Sequence, residues 1–465
     1  MNKLERTTFE INRELEFFTE KELEMQIGHS KDWWPVALLK ELIDNSLDAC
    51  EVGNISPEII VRIDDNYFSV QDNGPGISKE TIEKSLNYLK RVSDKAYYVS
   101  PTRGQVGNAL KCVWAAPFVL DGENGKIEVW SRGLHHIVNI GIDRIAQKPS
   151  IDYQYEEDSF KNGTLFKIYL DNDTTNYLNS LITQYKIEEF DDEQCEYCDV
   201  QIMTAKTLIE SYSVFNPHAA FKLYFNEEYD DEKIIHREII YRPTNPKWKK
   251  WRPDNPTPPH WYTVETLREL VEAYINNDEK NNGHAKTVRE FVSEFKGISG
   301  TAKQKRALDM FGVFFPTISY LHDLINEEKN DIDLNILKEL LAVMKTVSTG
   351  PKPSMLGVIG KEHLSQWMVK YANVSEESIK YVKTKGNDGL PFIIEVAFGV
   401  REKDDAGRIN IVGLNFTPTL RQPIQMLQEV MGKMRFDKDD PITLIVHITK
   451  PRFEYVDRGK TRLNI

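Results

Sequence analysis

Glu41, Asn45 and Asp48 fall at i, i+4 and i+7 in ELIDNSLDACE, residues 41–51. That spacing puts two carboxylates and an amide on one face of a helix. The flanking Leu39, Leu42, Ile43 and Leu47 make the helix a packed one, so its polar face is either solvated decoration or a working surface. A second group, Asp72-Asn73-Gly74-Pro75-Gly76, follows directly after a strand-like run. Its aspartate can accept a hydrogen bond from a flat, amine-bearing ring, and glycines two apart let a ligand approach the backbone closely. A third, Arg103-Gly104-Gln105-Val106-Gly107-Asn108, leads into NALKCVWAA, which reads as a helix start. Backbone N–H groups at such a start bind phosphates. Gly163-Thr164 opens the strand TLFKIYL. Taken singly these signals are common; their order and spacing together are not.

The elements that must position these residues alternate in type. Residues 1–50 carry apolar residues at helical spacing, whereas EIIVRIDDNYFSVQDNG from residue 58 is β-rich. SKETIEKSLNYLKRV reads as a helix, 93–107 as a loop, and KIEVWSRG, HHIVNIGIDRI and GTLFKIYLD as strands. The expected class is α+β and multidomain, beginning with an α/β sandwich over 1–240. Residues 242–260, RPTNPKWKKWRPDNPTPPH, have the composition of a linker. With the helical text that follows, broken at GISG, they make a second unit over 241–347. An α/β block over 348–465 has strands FIIEVAFGV, INIVGLNF and ITLIVHITK and a helix expected at 422–435.

The four groups, in this order, resemble the Bergerat-type ATPases of the GHKL superfamily. The resemblance implies ATP and Mg²⁺ as ligands and assigns roles. Glu41 stands at the general base that activates water, and Asn45 at the Mg²⁺ ligand, a hard oxygen donor. Asp48 supports the pocket. Asp72 reads adenine, with Thr164 completing its polar cluster, while Gly74, Gly76 and the adjoining Ile77 line the nucleotide. Gly104, Gln105, Val106, Gly107 and Asn108 form the lid over the triphosphate, and Lys111, one turn on, reaches either a phosphate or solvent.

ELIDNSLDA, DNGPGI and RGQVG together look most like the topoisomerase VI B-subunit family. TVREFVSEFKGISGTAKQKRAL is similar to that family's helix-two-turn-helix insert, and LPFIIEVAFGV, INIVGLNFTPTL and DPITLIVHITKPRFEYVDRGK to its transducer. That family's transducer lends a catalytic lysine to the γ-phosphate; Lys433 in EVMGKMRF stands roughly there, with Lys450 the alternative. The resemblance implies an ATP-driven homodimer, DNA as a partner and a separate DNA-cleaving subunit. No tyrosine nucleophile with an acidic metal site is apparent, so the chain is not expected to cut DNA itself. The family's B subunit continues into a long helix that grips the cleaving subunit, whereas this sequence stops at KTRLNI. That departure favours keeping a second expectation open: a stand-alone ATP-dependent switch or DNA clamp, as in a genome-defence or mobile-element system, with another effector.

A net charge of −13 over 465 residues is unlike a nucleic-acid coat protein, so DNA contact must rest on local basic segments. KWKKWR at 247–252 and KGISGTAKQKR at 296–306 are the two candidates. No run of apolar residues is long enough for a membrane span and the first residues are charged, which points to the cytoplasm and no membrane partner. Cys195 and Cys198 form a lone C-x-x-C among acids; without a second pair, an ordinary loop or helix end is the better reading than a metal site.

Overall fold

The computed structural model describes residues 13–88, 97–103, 109–122, 125–146, 148–170, 204–229, 233–280, 285–326, 331–402, 407–424, 427, 431–436, 439–455 and 463. The chain is a multidomain α+β protein built around two mixed sheets and a helical block. Its helices include α1 (Glu20–Ile27), α2 (Trp34–Val52), α3 (Lys79–Ser85) and α4 (Ala109–Asp121). β1 (Glu58–Asp64) and β2 (Tyr67–Gln71) form a hairpin, followed by β3 (Gly125–Ser131), β4 (Leu134–Asp143), β5 (Lys148–Glu157) and β6 (Thr164–Tyr169). After α5 (Ala205–Phe215) come β7 (Ala220–Tyr229) and β8 (Lys233–Tyr241).

These strands make one sheet in the order β5-β4-β3-β6-β2-β1-β7-β8. Strand β1 runs parallel to β7 and antiparallel to β2, so β2, which delivers Asp72, lies inside the sheet. α2 has Pro35 in its first turn, where the missing N–H costs nothing, and buries fourteen of its nineteen residues. Its apolar stripe shares one core with α4, α5 and the inward residues of β1–β4, among them Leu39, Ile43, Leu47, Val61, Val113, Val129 and Leu208.

The helical block comprises α6 (Val264–Lys280), α7 (Val288–Ser293), α8 (Thr301–Gly312) and α9 (Leu334–Val347) around Phe291, Phe311, Leu267 and Leu340. The second sheet, β11 (Lys380–Asn387), β12 (Pro391–Val400), β15 (Ile442–Thr449), β13 (Ile409–Leu414) and β14 (Thr417–Pro418), is ordered as named and is covered by α10 (Lys361–Tyr371). A short β9–β10 pair (Ile325–Asn326, Asp331–Ile332) stands apart from both sheets. Every residue of β15 is buried, the polar Thr443, His447 and Thr449 included, and the rest of ITLIVHIT is apolar on both faces.

Three sequence expectations change. β5 and β11 are strands outside those expected from the sequence, and both lie at sheet edges; β5 alternates Ile151, Tyr153 and Tyr155 with polar residues, whereas β11, rich in lysine and largely exposed, carries no such pattern. Helix α3 ends at Ser85 rather than continuing through the apolar text after it. Residues 242–260 are not a linker. They lack long regular elements, yet Trp251 is buried in the core of the helical block against Trp261, the residue just past the segment, with ring centroids 4.8 Å apart. Proline and asparagine remove backbone ladders without preventing aromatic burial. The expected helix at 422–435 falls largely outside the described residues, as does the Cys195–Cys198 pair.

Candidate active site

Helix α2 presents Glu41 and Asn45 half-buried on the predicted face, with Asp48 buried one turn further on. The Glu41 charge acts on Lys40, on Cys112 of α4 and on Tyr212 of α5. The Asn45 side-chain nitrogen is buried with no hydrogen-bond partner. An amide left so can turn either its oxygen or its NH₂ toward a ligand.

Asp72 sits where β2 ends, 5% exposed. Its Oδ1 accepts from the backbone N–H groups of Gly74 (2.8 Å) and Thr164 (3.1 Å), and its Oδ2 from the Ser46 hydroxyl (3.0 Å). A carboxylate offers about four acceptor positions, so three donors leave one open on Oδ2. Burial pushes the Asp72 carboxyl above its ordinary value even though Gly74, Ser46 and Thr164 pull it down. The group is therefore short of stabilising partners, and a ligand N–H would supply one. Thr164 enters this cluster through its main chain: its N–H binds the Asp72 side chain and its carbonyl accepts from Asp72 N at 2.9 Å.

The glycines act differently from the expectation that they leave room for a ligand. A Cβ on Gly74 would meet Asp72 Oδ1 at 3.0 Å and Cys50 Sγ at 3.3 Å; one on Gly76 (φ 78°) would meet Ser131 Oγ at 2.7 Å. Gly163 (φ 82°) packs so tightly that a Cβ would lie 1.9 Å from the Asp72 carbonyl oxygen. At these positions the glycines let two protein loops close on each other. Ser131 joins them, accepting from Ile77 N (2.9 Å) and donating to the Gly163 carbonyl (3.1 Å).

The domain model described as histidine kinase-, DNA gyrase B-, and HSP90-like ATPase matches residues 34–173, which span α2, the Asp72 loop and Thr164. The chain carries a GHKL-type ATPase domain. Over 449 residues it is 24% identical to the B subunit of type 2 DNA topoisomerase 6 from Sulfurisphaera tokodaii, covering 91% of this chain and 74% of that protein. The same protein of Metallosphaera sedula is 23% identical with the same coverage. That of Natronomonas pharaonis is 35% identical over 127 residues, 26% of this chain and 16% of that protein. A solved N-terminal domain of a DNA repair protein is a looser likeness, 13% identical with a TM-score of 0.40, covering 94% of this chain and 90% of that one.

Around the GHKL pocket several predicted residues have other engagements. Arg103, fully buried, places Nη1 2.8 Å from Asp48 Oδ1 and 3.0 Å from both Glu51 oxygens, and Nη2 on Asn216. Asp48 thus anchors the arginine at the rear of α2. Lys250 (2.8 Å) and His218 (3.2 Å) also reach Glu51. Burial alone raises the Glu51 carboxyl, but Arg103 and Lys250 overcome that and hold it well below the usual carboxylate range. Lys111 does not reach solvent; it is buried, donating to the Tyr88 carbonyl at 3.1 Å. Gly104 to Asn108 lie outside the described residues. Lys433 is exposed, and Lys450 pairs with Asp388 at 2.8 Å.

Ser46, Ser131, Glu51 and His218 were not singled out from the sequence, and Lys250 was read only as part of a basic run. Only Ser46 had a local signal, as a hydroxyl on the buried side of a helix beside Asn45. Among the described residues no group of three or more His, Cys, Asp or Glu is placed to hold a metal. Asn45, whose buried side-chain nitrogen lacks a hydrogen-bond partner, can turn its amide oxygen toward a ligand, a hard donor of the kind that suits Mg²⁺, an ion that otherwise relies on phosphate oxygens and water.

Proposed function

We propose that this chain binds ATP with Mg²⁺ and hydrolyses it, as the ATPase subunit of an assembly like the type IIB topoisomerases. The observation that carries the reading is the buried Asp72 carboxylate, held by three donors with one acceptor position open, behind a helix that presents Glu41 and Asn45, whose side-chain nitrogen is unpartnered. Asp72 accepts from the exocyclic amine of adenine beside Thr164. Asn45 would hold Mg²⁺, which when bound offsets negative charge on the phosphate oxygens. Glu41 takes a proton from the water that attacks the γ-phosphorus as the bond to the ADP oxygen breaks. Glu41→Gln should keep a non-hydrolysable ATP analogue bound while turnover falls roughly 10²- to 10⁴-fold. Turnover near the unmutated rate would remove Glu41 from the base position. The γ-phosphate lysine stays a proposal for Lys433 or Lys450, separable by alanine substitution of each.

The units 1–240, 241–347 and 348–465 serve as ATPase domain, helical insert and transducer, a division supported by three apolar cores centred on the first sheet, the helical block and the second sheet, which share residues at their borders. The protein is expected to be monomeric without nucleotide and dimeric with analogue and Mg²⁺. Light scattering showing unchanged mass would count against the clamp.

Of the two basic segments expected to meet DNA, 296–306 is the better candidate, although Lys247 and Lys249 of 247–252 are exposed as well. In KWKKWR, Lys250 is buried on Glu51, Trp251 is buried, and Arg252 is engaged with Asn54 and Asp254. Lys303, Lys305 and Arg306 of α8 are exposed. They are the better DNA face, and plasmid binding should weaken steeply with salt. Relaxation of supercoiled plasmid together with a DNA-cleaving subunit tests the topoisomerase role.

A further inference from the structure

The two sheets meet at one hairpin tip. β13 and β14 pair Leu414 with Thr417 and leave Asn415 and Phe416 as a two-residue turn with φ of 50° and 66°. Such turns favour glycine at the second position, so a phenylalanine there is strained. Strain of this kind persists only where the surroundings over-determine it. Here they do: the Phe416 ring is fully buried between Trp248 and His447, with the Lys250 ammonium 5.4 Å from its centroid.

The turn is held from both sides. Toward the ATPase domain, the Phe416 carbonyl accepts from Asn216 Nδ2 (3.1 Å) and Arg103 Nε (3.4 Å), and Thr417 Oγ1 donates to Asp44 Oδ2 (3.0 Å). Asp44 also receives Tyr212 (2.8 Å), and Arg103 continues to Asp48 and Glu51. All three acids belong to α2, the helix that carries Glu41 and Asn45. Toward the second sheet, Phe416 N donates to His447 Nε2 (3.1 Å), which leaves the other ring nitrogen to face Glu395 Oε2 at 3.4 Å. His447 and Glu395 are centre-sheet residues of β15 and β12 with no exposed surface.

The apolar contacts are exchanged too. Leu420, just past β14, lies in the core of the ATPase sheet, while Val214 and Phe215 of α5 lie in the core of the transducer-like sheet. Gly413 must be glycine for this, since a Cβ there would sit 2.6 Å from the Phe215 ring.

We propose that the Asn415–Phe416 turn is a coupling element: a nucleotide-dependent shift of α2 passes through Asp44–Thr417 and Arg103–Phe416 to His447 and Glu395. Thr417 and Phe416 are positioning residues that act through α2 and touch no nucleotide. This route is separate from any lysine on the γ-phosphate, and it rests on the reading of α2 as the nucleotide helix. Packed chains and hydrogen-bond networks of this kind carry coupling when both ends bias one rigid element.

The test is hydrogen exchange on the full chain with and without a non-hydrolysable ATP analogue and Mg²⁺. The native protein should gain protection in α2 and also respond in β12 and β15. Thr417→Val, which removes the hydroxyl with its bond to Asp44 and its 3.3 Å contact with the Tyr212 hydroxyl, and Phe416→Gly, which relieves the positive φ and deletes the ring, should keep the analogue and the α2 protection. Both should lose the response in β12 and β15. If either folded variant transmits the full response, or if the native protein binds analogue without any response in the second sheet, the proposal is overturned. If Phe416→Gly does not fold, Thr417→Val decides alone. If the native protein binds no analogue, the nucleotide reading itself falls, an outcome visible in α2 before any variant is made.

Discussion

Two buried carboxylates, one in each sheet, are treated in opposite ways. Glu395 has no exposed surface and accepts from Ile359 N (2.9 Å), Gly360 N (2.8 Å) and the Tyr381 hydroxyl (2.7 Å), with His447 3.4 Å away. Burial alone raises its carboxyl, but the His447 contact and the two backbone N–H groups overcome that and hold it at about 2. Asp72 has only three donors and stays above its ordinary value. A carboxylate whose acceptor positions are filled by protein is a structural knot. One buried with a position to spare is poised for a ligand.

The largest expected effect breaks the knot. Glu395→Ala removes the acceptor for two main-chain donors and a tyrosine, and should cost about 3–5 kcal/mol in urea unfolding. An unchanged midpoint would erase the contrast with Asp72. The pH dependence should differ in sign between the two groups. Glu395 is depressed from 4.5 to about 2, so its stabilisation is full above pH 4.5 and is lost as pH falls toward 2, on the order of 3 kcal/mol. Glu395→Gln should flatten that acid limb. Asp72 is raised above 3.8, so its stabilisation is present below that value and is lost as pH rises through its shifted pKa.

Asp72→Asn should weaken analogue binding by about 2–3 kcal/mol, roughly 30- to 150-fold, and stability by only about 1 kcal/mol. Calorimetry and melting curves separate the two. An equal loss in both would mean that Asp72, too, is a structural knot. Ser46→Ala should have the smallest effect, about 1 kcal/mol or less on stability, because it removes one of three donors.

The two carboxylates were unequally legible in the sequence. Asp72 stood out because a strand ending in Asp-Asn-Gly-Pro-Gly is a local pattern, and its backbone demands show in φ of 78° at Gly76. Glu395 is the single acid in a nearly continuous apolar strand, FIIEVAFGV, with no local motif to mark its role; β15 beside it and the Ile359–Gly360 turn supply its partners. Arg103 read as the first residue of a phosphate loop, and Lys250 as one of a basic run. Both are internal, with Glu51 between them.

The sequence by itself determined that Glu41 and Asn45 share one face of a packed helix, that Asp72 ends a strand at a glycine-rich loop, and the order of sheets and helical block. Each of these follows from periodicity or from backbone conformations that only certain residues adopt, and such signals lie within a few residues of one another. Tertiary structure alone decided which charges are buried, that the tryptophan-rich segment packs into a core, and that Thr417 meets Asp44 across the chain. An ion pair or a strained turn between distant segments leaves no local pattern, because its stabilisation exists only once both partners have left water together.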